Sequence, residues 1–181
     1  MPMRRLSLIL LAILALAPSA YAASRAVGDG VLELRHVDGT VLIGTLKNPA
    51  EGALWGQMDR GVLKVTDPDP TDGRVHVSGA DRKPIVTETP LGTITTYRGD
   101  NLTFRVTGGT YRLLFNGSGI DLTAVGVGVA WLNGNPDDPD DGDYAVDGGK
   151  WTPVPAFLET KVVDAVAVPF GDQTVTGSTS P

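Results

Sequence analysis

Cysteine is absent, histidine occurs twice, and aromatic residues make up only 6% of the 181 residues. Without cysteine there is no disulfide, no thiolate metal site, no cysteine nucleophile and no lipid-anchoring thiol. Long apolar runs are missing after residue 17, so nothing beyond it supplies the roughly 20 residues that a membrane-spanning helix needs. Uninterrupted helical spacing is missing too, because glycine or proline breaks every candidate i, i+3, i+4, i+7 pattern. Basic charge is in deficit, with 15 Lys and Arg against 21 Asp and Glu and a net charge of −6. That balance suits neither phosphate neutralisation on nucleic acid nor attraction to anionic lipid. What is present is an ordinary hydrophobic fraction of 41%, which argues against wholesale disorder.

The first segment has the three parts of a secretory signal peptide. Arg4 and Arg5 are the positive region, residues 6–17 (LSLILLAILALA) the apolar region, and Ala20-Tyr21-Ala22 an A-x-A cleavage site after Pro18. Cleavage after Ala22 leaves 159 residues, with 13 basic against 21 acidic side chains. The expected organisation is a signal peptide at 1–22, a single all-β domain at 23–170 and a flexible tail at 171–181. An exported domain without cysteine has to be stabilised by its core alone.

Strand signals fill the mature chain. Residues 31–37, Asp38-Gly39 and residues 40–43 have the pattern of a hairpin on an Asp-Gly turn, with His36 opposite Val41. Further strands are expected at 61–66, 74–78 and 94–97, with the loop DPDPTDG at 67–73 between the first two. Glycines then fall at 99, 108, 117 and 126, nine apart. Between them Leu102, Phe104 and Val106, then Tyr111, Leu113 and Phe115, then Ile120, Leu122 and Ala124, then Val129 and Trp131 alternate with period two. Two-residue turns at Gly108-Gly109, Gly117-Ser118 and Gly126-Val127 would put all these residues on one face, with Arg105, Arg112 and Asp121 on the other. The fold expected is therefore a mostly antiparallel meander forming a sandwich or partly open barrel. A parallel β-solenoid fits the same spacing and stands as the alternative. A further hairpin is expected at 144–153 around Asp147-Gly148-Gly149, and a last strand at 162–168.

Candidate chemistry is sparse. The loop at 133–143 carries Asp137, Asp138, Asp140, Asp141 and Asp143 with no basic residue among them. Hard carboxylate oxygens at that density suit Ca²⁺, with Asp138, Asp140, Asp141 and Asp143 as the candidate ligands and Asn135 beside them. The EF-hand pattern fails, because Pro139 and Gly148 occupy positions 3 and 12, and a solvated acidic loop is the competing reading. The Ca²⁺-binding nonapeptide pattern also fails around Asn116-Gly117-Ser118-Gly119-Ile120-Asp121. His36 and His76 lack zinc-ligand spacing, and Gly117-Ser118-Gly119 is not a nucleophile elbow. Of three tryptophans, Trp131 is in phase with the apolar face and is assigned to the core. Trp55 lies between Gly52 and Gly56, outside any assigned element. Trp151, with Tyr144 near it across the hairpin, is the candidate for stacking on sugar rings of an envelope polymer.

The run YRGDNLTFRVTGGTYRLLFNGSGIDLTAVGVGVAWLNG, followed by DGDYAVDGGKWTPVP, resembles exported bacterial β-proteins of the glycine-punctuated type, which are uncharacterised. The resemblance covers about the last half of the mature chain, implies that residues 97–155 form one structural unit, and carries no activity with it. The expected product is a secreted or periplasmic envelope protein, non-enzymatic, with a structural or binding role and a polymer or protein as partner. It would bind no nucleic acid and have no membrane span once the signal is removed. A carboxylate-based hydrolase of an extracellular polymer is the alternative, and a carrier of apolar ligands a lesser one.

Overall fold

A computed structural model describes residues 26–44, 50–135, 137, 141–156 and 165–174. The segment expected to be a signal peptide, Asp138, Asp140 and residues 175–181 lie outside the described residues. Nine strands appear among them: β1 Gly30–Ile43, β2 Ala50–Asp67, β3 Gly73–Ser78, β4 Ile85–Thr89, β5 Gly92–Gly108, β6 Thr110–Gly134, β7 Asp143–Val146, β8 Thr152–Pro153 and β9 Val166–Phe170. No helix among the described residues is long and apolar enough to cross a membrane.

All nine belong to one sheet in the order β3-β5-β2-β6-β1-β7-β8, with β4 added to β5 and β9 to β6. Partner numbers fall as strand numbers rise in every ladder: Leu32 faces Ala124 and Leu34 faces Leu122, while Leu54 faces Ala124 and Gln57 faces Asp121. The sheet is thus antiparallel, as a sandwich requires and a parallel solenoid does not.

The four central strands are long, at 14, 18, 17 and 25 residues for β1, β2, β5 and β6. Each is bent part-way, and the bends line up. Gly134, Gly39, Gly117, Gly61 and Gly99 are successive cross-strand partners, a row of glycines running across the sheet. The backbones approach closely there: a Cβ on Gly117 would stand 2.0 Å from the Arg60 carbonyl oxygen, and one on Gly61 2.3 Å from that of Asn116. Only glycine fits such a crease.

Along the crease each strand also gains a residue. Buried positions change from odd to even in β6 (Tyr111, Leu113, Phe115, then Ile120, Leu122, Ala124). They change from even to odd in β1 (Leu32, Leu34, then Val37, Val41, Ile43) and in β2 (Leu54, Met58, then Leu63, Val65). Such a switch is what a β-bulge produces. Left-handed backbone at His36 (φ 50°), Asn101 (φ 56°) and Gly119 (φ 61°) marks the bulges of β1, β5 and β6. The bulge amides find acceptors: the His36 N–H donates to Asp121 Oδ1 (2.8 Å) and the Gly119 N–H to Asp38 Oδ1 (2.7 Å).

The bend folds the sheet onto itself as two layers. Residues 30–37, 118–126, 52–60 and 100–108, with β3, β7 and β8, make one. Residues 39–43, 112–117, 130–134, 62–67 and 92–98, with β4 and β9, make the other. Apolar side chains from both fill the space between, and the rings of Phe104 and Phe115 meet across it at 4.9 Å and 48°. Burying a side chain of this size contributes about 1.5–3 kcal/mol, so the interior can hold the fold without cross-links.

Several local expectations are corrected. Asp38-Gly39 is no hairpin turn. β1 bends there but continues as one strand, because β6 offers a ladder to both halves of β1 and Asp38 is occupied in capping the Gly119 amide. Gly117-Ser118 and Gly126-Val127 likewise lie inside one 25-residue strand. Gly108-Gly109 does reverse the chain, with φ of 67° and 71°, but β2 inserts between β5 and β6, so Val106 does not face Tyr111. Beyond Gly126 the inward positions are Ala130 and Leu132. Trp131 is half-buried on the outer face, its neighbours in the ladder being Leu42 and Ala167. The hairpin of β7 and β8 forms as expected, with Asp147 at φ 53°; β9 spans 166–170, overlapping the strand expected at 162–168, of which 162–164 lie outside the described residues. The first tail residues are held: the Gln173 amide donates to the carbonyls of Gly128 and Phe170, and the Asp172 N–H to that of Gly28.

Candidate functional site

Alternation puts Leu32, Leu34, Leu54, Met58, Leu122 and Ala124 inward, and therefore Glu33, Arg35, Trp55, Gln57, Asp121 and Thr123 outward. The ladders set these six as a grid on the outer face of β1, β6 and β2. Glu33 faces Thr123, which faces Trp55; one step along, Asp121 faces Gln57. An open groove of about 460 Å³ lies over this grid, lined also by His36, Gly56 and Trp151.

Two indoles border it. Trp55 is 37% exposed although it sits in the middle of a sheet. Trp151 enters from the turn before β8, and the Arg35 guanidinium stacks on its ring at 3.8 Å from the centroid. That contact fixes both side chains at the groove wall. Trp55 stands two strands from Arg35, roughly 10 Å at ordinary strand spacing. On the floor, Asp121 Oδ1 accepts from the His36 backbone at the β1 bulge, and Oδ2 from the Gln57 side-chain amide at 3.2 Å. The His36 ring is 82% exposed, with Nδ1 3.6 Å from Asp121 Oδ1.

Of the residues singled out from sequence, Trp151 is in this groove. Tyr144 faces Leu34 across the β1–β7 ladder and packs against the core, on the side of the sheet opposite Arg35. Asp141 is 4% exposed; its carboxylate packs against Gly134 and its carbonyl accepts from the Asp38 N–H. Asp143 opens β7. The described residues contain no group of three or more acidic or histidine side chains placed to hold a metal. His36 and His76 lie on different strands, both exposed.

Sequence reasoning missed Arg35, Gln57 and the position of Trp55. A signal existed. In GALWGQM, Leu54 and Met58 share one phase and Ala53, Trp55 and Gln57 the other, so a tryptophan sits on the polar face of an amphipathic strand.

No protein-family model matches the chain, and no curated protein or solved structure matches it either.

Proposed function

We propose that this chain is an exported, non-enzymatic binding protein of the cell envelope or extracellular space, and that its outer sheet face takes a carbohydrate polymer. The observation that carries the reading is the groove between Trp55 and Trp151. Indole faces stack on the C–H-rich faces of sugar rings, and planar polar groups such as Arg35 and Gln57 pair with sugar hydroxyls. A shallow trough open along its length accepts an extended chain, whereas a small ligand is ordinarily enclosed.

The alternatives draw less support. An apolar carrier needs interior space, and among the described residues a pocket reaching the interior beside Ile43, Leu113 and Phe170 has room for only about 20 Å³. A hydrolase needs two carboxylates able to exchange protons. Glu33 and Asp121 both line the groove, but Asp121 Oδ1 is held by the bulge amide of His36 and Oδ2 by the Gln57 side chain.

The test is titration of the full chain with cello-, xylo- and chito-oligosaccharides, read by tryptophan fluorescence, with co-sedimentation on the insoluble polymers. Trp55→Ala and Trp151→Ala are each expected to weaken binding roughly tenfold or more, the usual effect of removing an aromatic anchor. Release of reducing ends in the same incubations would favour the hydrolase. Binding to none of these, nor to acidic glycans, would remove the proposal. Export is tested separately: the protein recovered outside the cytoplasm should begin at Ala23.

A further inference from the structure

Next to Trp55 the outer face changes character. Across β5 and β3 the outward residues are Thr103, Arg105 and Thr107, then Arg74, His76 and Ser78, which are three nitrogen bases, three hydroxyls and no carboxylate. The ladders align them with the groove. Trp55 faces Arg105, which faces His76; Gln57 faces Thr103, which faces Ser78; Thr107 faces Arg74. The Ser78 and Thr103 hydroxyls are hydrogen-bonded at 2.5 Å, tying the two strands together on this face. Acidic groups flank the strip: Glu33 and Asp121 lie on the β1–β6 side, Asp59 stands beside Gly119 farther along β2, Asp100 is paired with Arg60, and Asp72 sits in the recess beyond Arg74.

From these observations we infer that the glycan is polyanionic. It would bear carboxylate or sulfate groups, and would lie across the strands from Trp151 over Trp55 to Arg105, Arg74 and His76. This rests on the carbohydrate-binding reading above and deepens it. The chain is acidic overall, with a net charge of −6, so its general field repels such a polymer. A strip that carries two arginines and no carboxylate on its own strands, beside the exposed indole, provides the local exception. Guanidinium forks match carboxylate and sulfate oxygens two at a time, which hydroxyl-only sugars cannot exploit. From β1 to β3 is four strand steps, about 19 Å, so a chain of several sugars can touch both indoles and the arginines.

Three probes separate the possibilities on the full chain: oligogalacturonate for carboxylate, dextran sulfate oligomers for sulfate, and cello-oligosaccharide as the neutral control. At about 50 mM salt one of the two anionic probes should bind roughly tenfold tighter than the neutral one, and the advantage should shrink at about 300 mM. Which anionic probe wins assigns the group. The double variant Arg74→Gln/Arg105→Gln replaces exposed side chains and should keep the parental melting temperature. It should lose most of the anionic advantage and leave neutral binding within about twofold. If anionic probes bind no tighter than the neutral one, or the double variant retains the full advantage, the inference is overturned and the carbohydrate reading stands. If no probe binds, that reading fails and takes the inference with it.

Discussion

The glycines of the crease and the glycines at the β7–β8 turn are the same residue doing different jobs. Gly117 sits inside a strand with the Arg60 carbonyl 2.0 Å from where its Cβ would be. Gly148 sits at a hairpin tip with φ of 69° and nothing within 4 Å of an added Cβ. The tip needs glycine for its backbone angle alone. The crease needs it because another strand occupies the volume. A glycine in a β-rich sequence can thus mark either the end of a strand or the place where an unbroken strand folds over.

Substitution should separate the two. Gly117→Val should cost the most, above about 4 kcal/mol, because the β2–β6 ladder must part to admit it. The expected result is no cooperative urea transition; a stable, normally melting protein would show that the crease is not tightly closed. Phe115→Ala should follow at about 3–5 kcal/mol, since the ring fills the space between layers against Phe104. Equilibrium unfolding in urea measures it, and a cost near that of a surface change would mean the layers do not share one core. Gly148→Ala should cost only about 1 kcal/mol, the penalty for left-handed backbone in a residue with a Cβ. A loss as large as that at Gly117 would erase the distinction.

The smallest effect is expected at Tyr111. Its hydroxyl is buried without a hydrogen-bond partner, beside the backbone of Gly73 and Gly109. Tyr111→Phe should therefore change stability by less than about 1 kcal/mol at neutral pH. Burial, with the carboxylates of Asp67 and Asp72 nearby, pushes the phenol up to about 12. An unfolded tyrosine loses its proton near pH 10, so between about 10 and 12 the folded state holds a proton that the unfolded state has released. This contribution is fully present below pH 10 and is lost as pH rises through the folded value. Melting temperature should fall across that interval in the parent and fall less in Tyr111→Phe; identical alkaline profiles would contradict the assignment.

Much of the interior was legible. Period-two spacing picked out Leu102, Phe104, Val106, Tyr111, Leu113, Phe115, Ile120, Leu122 and Ala124, and all are buried. Alternation depends only on the local pleat, so local sequence reports it. The connections were not legible, because a tight turn and a bulged bend both call for glycine. What decides between them is distant: the Asp38 carboxylate on the Gly119 amide, and Asp121 on the amide of His36. Trp131 was misplaced for a related reason: a turn at Gly126-Val127 would have moved the inward phase to odd positions, whereas the strand runs on and Ala130 and Leu132 keep the even phase of Leu122 and Ala124. Of the groove, Trp151 could be picked out as an aromatic after a glycine turn. Its stacking partner Arg35 is far away in the sequence and adjacent only through β7.

Because β1, β2, β5 and β6 each pass from one layer into the other, neither layer has a seam along which it could detach. Amides on both sides of the bend should exchange with solvent at a common, slow rate set by rupture of the entire molecule. Cutting the chain at the β7–β8 tip should leave that rate nearly untouched.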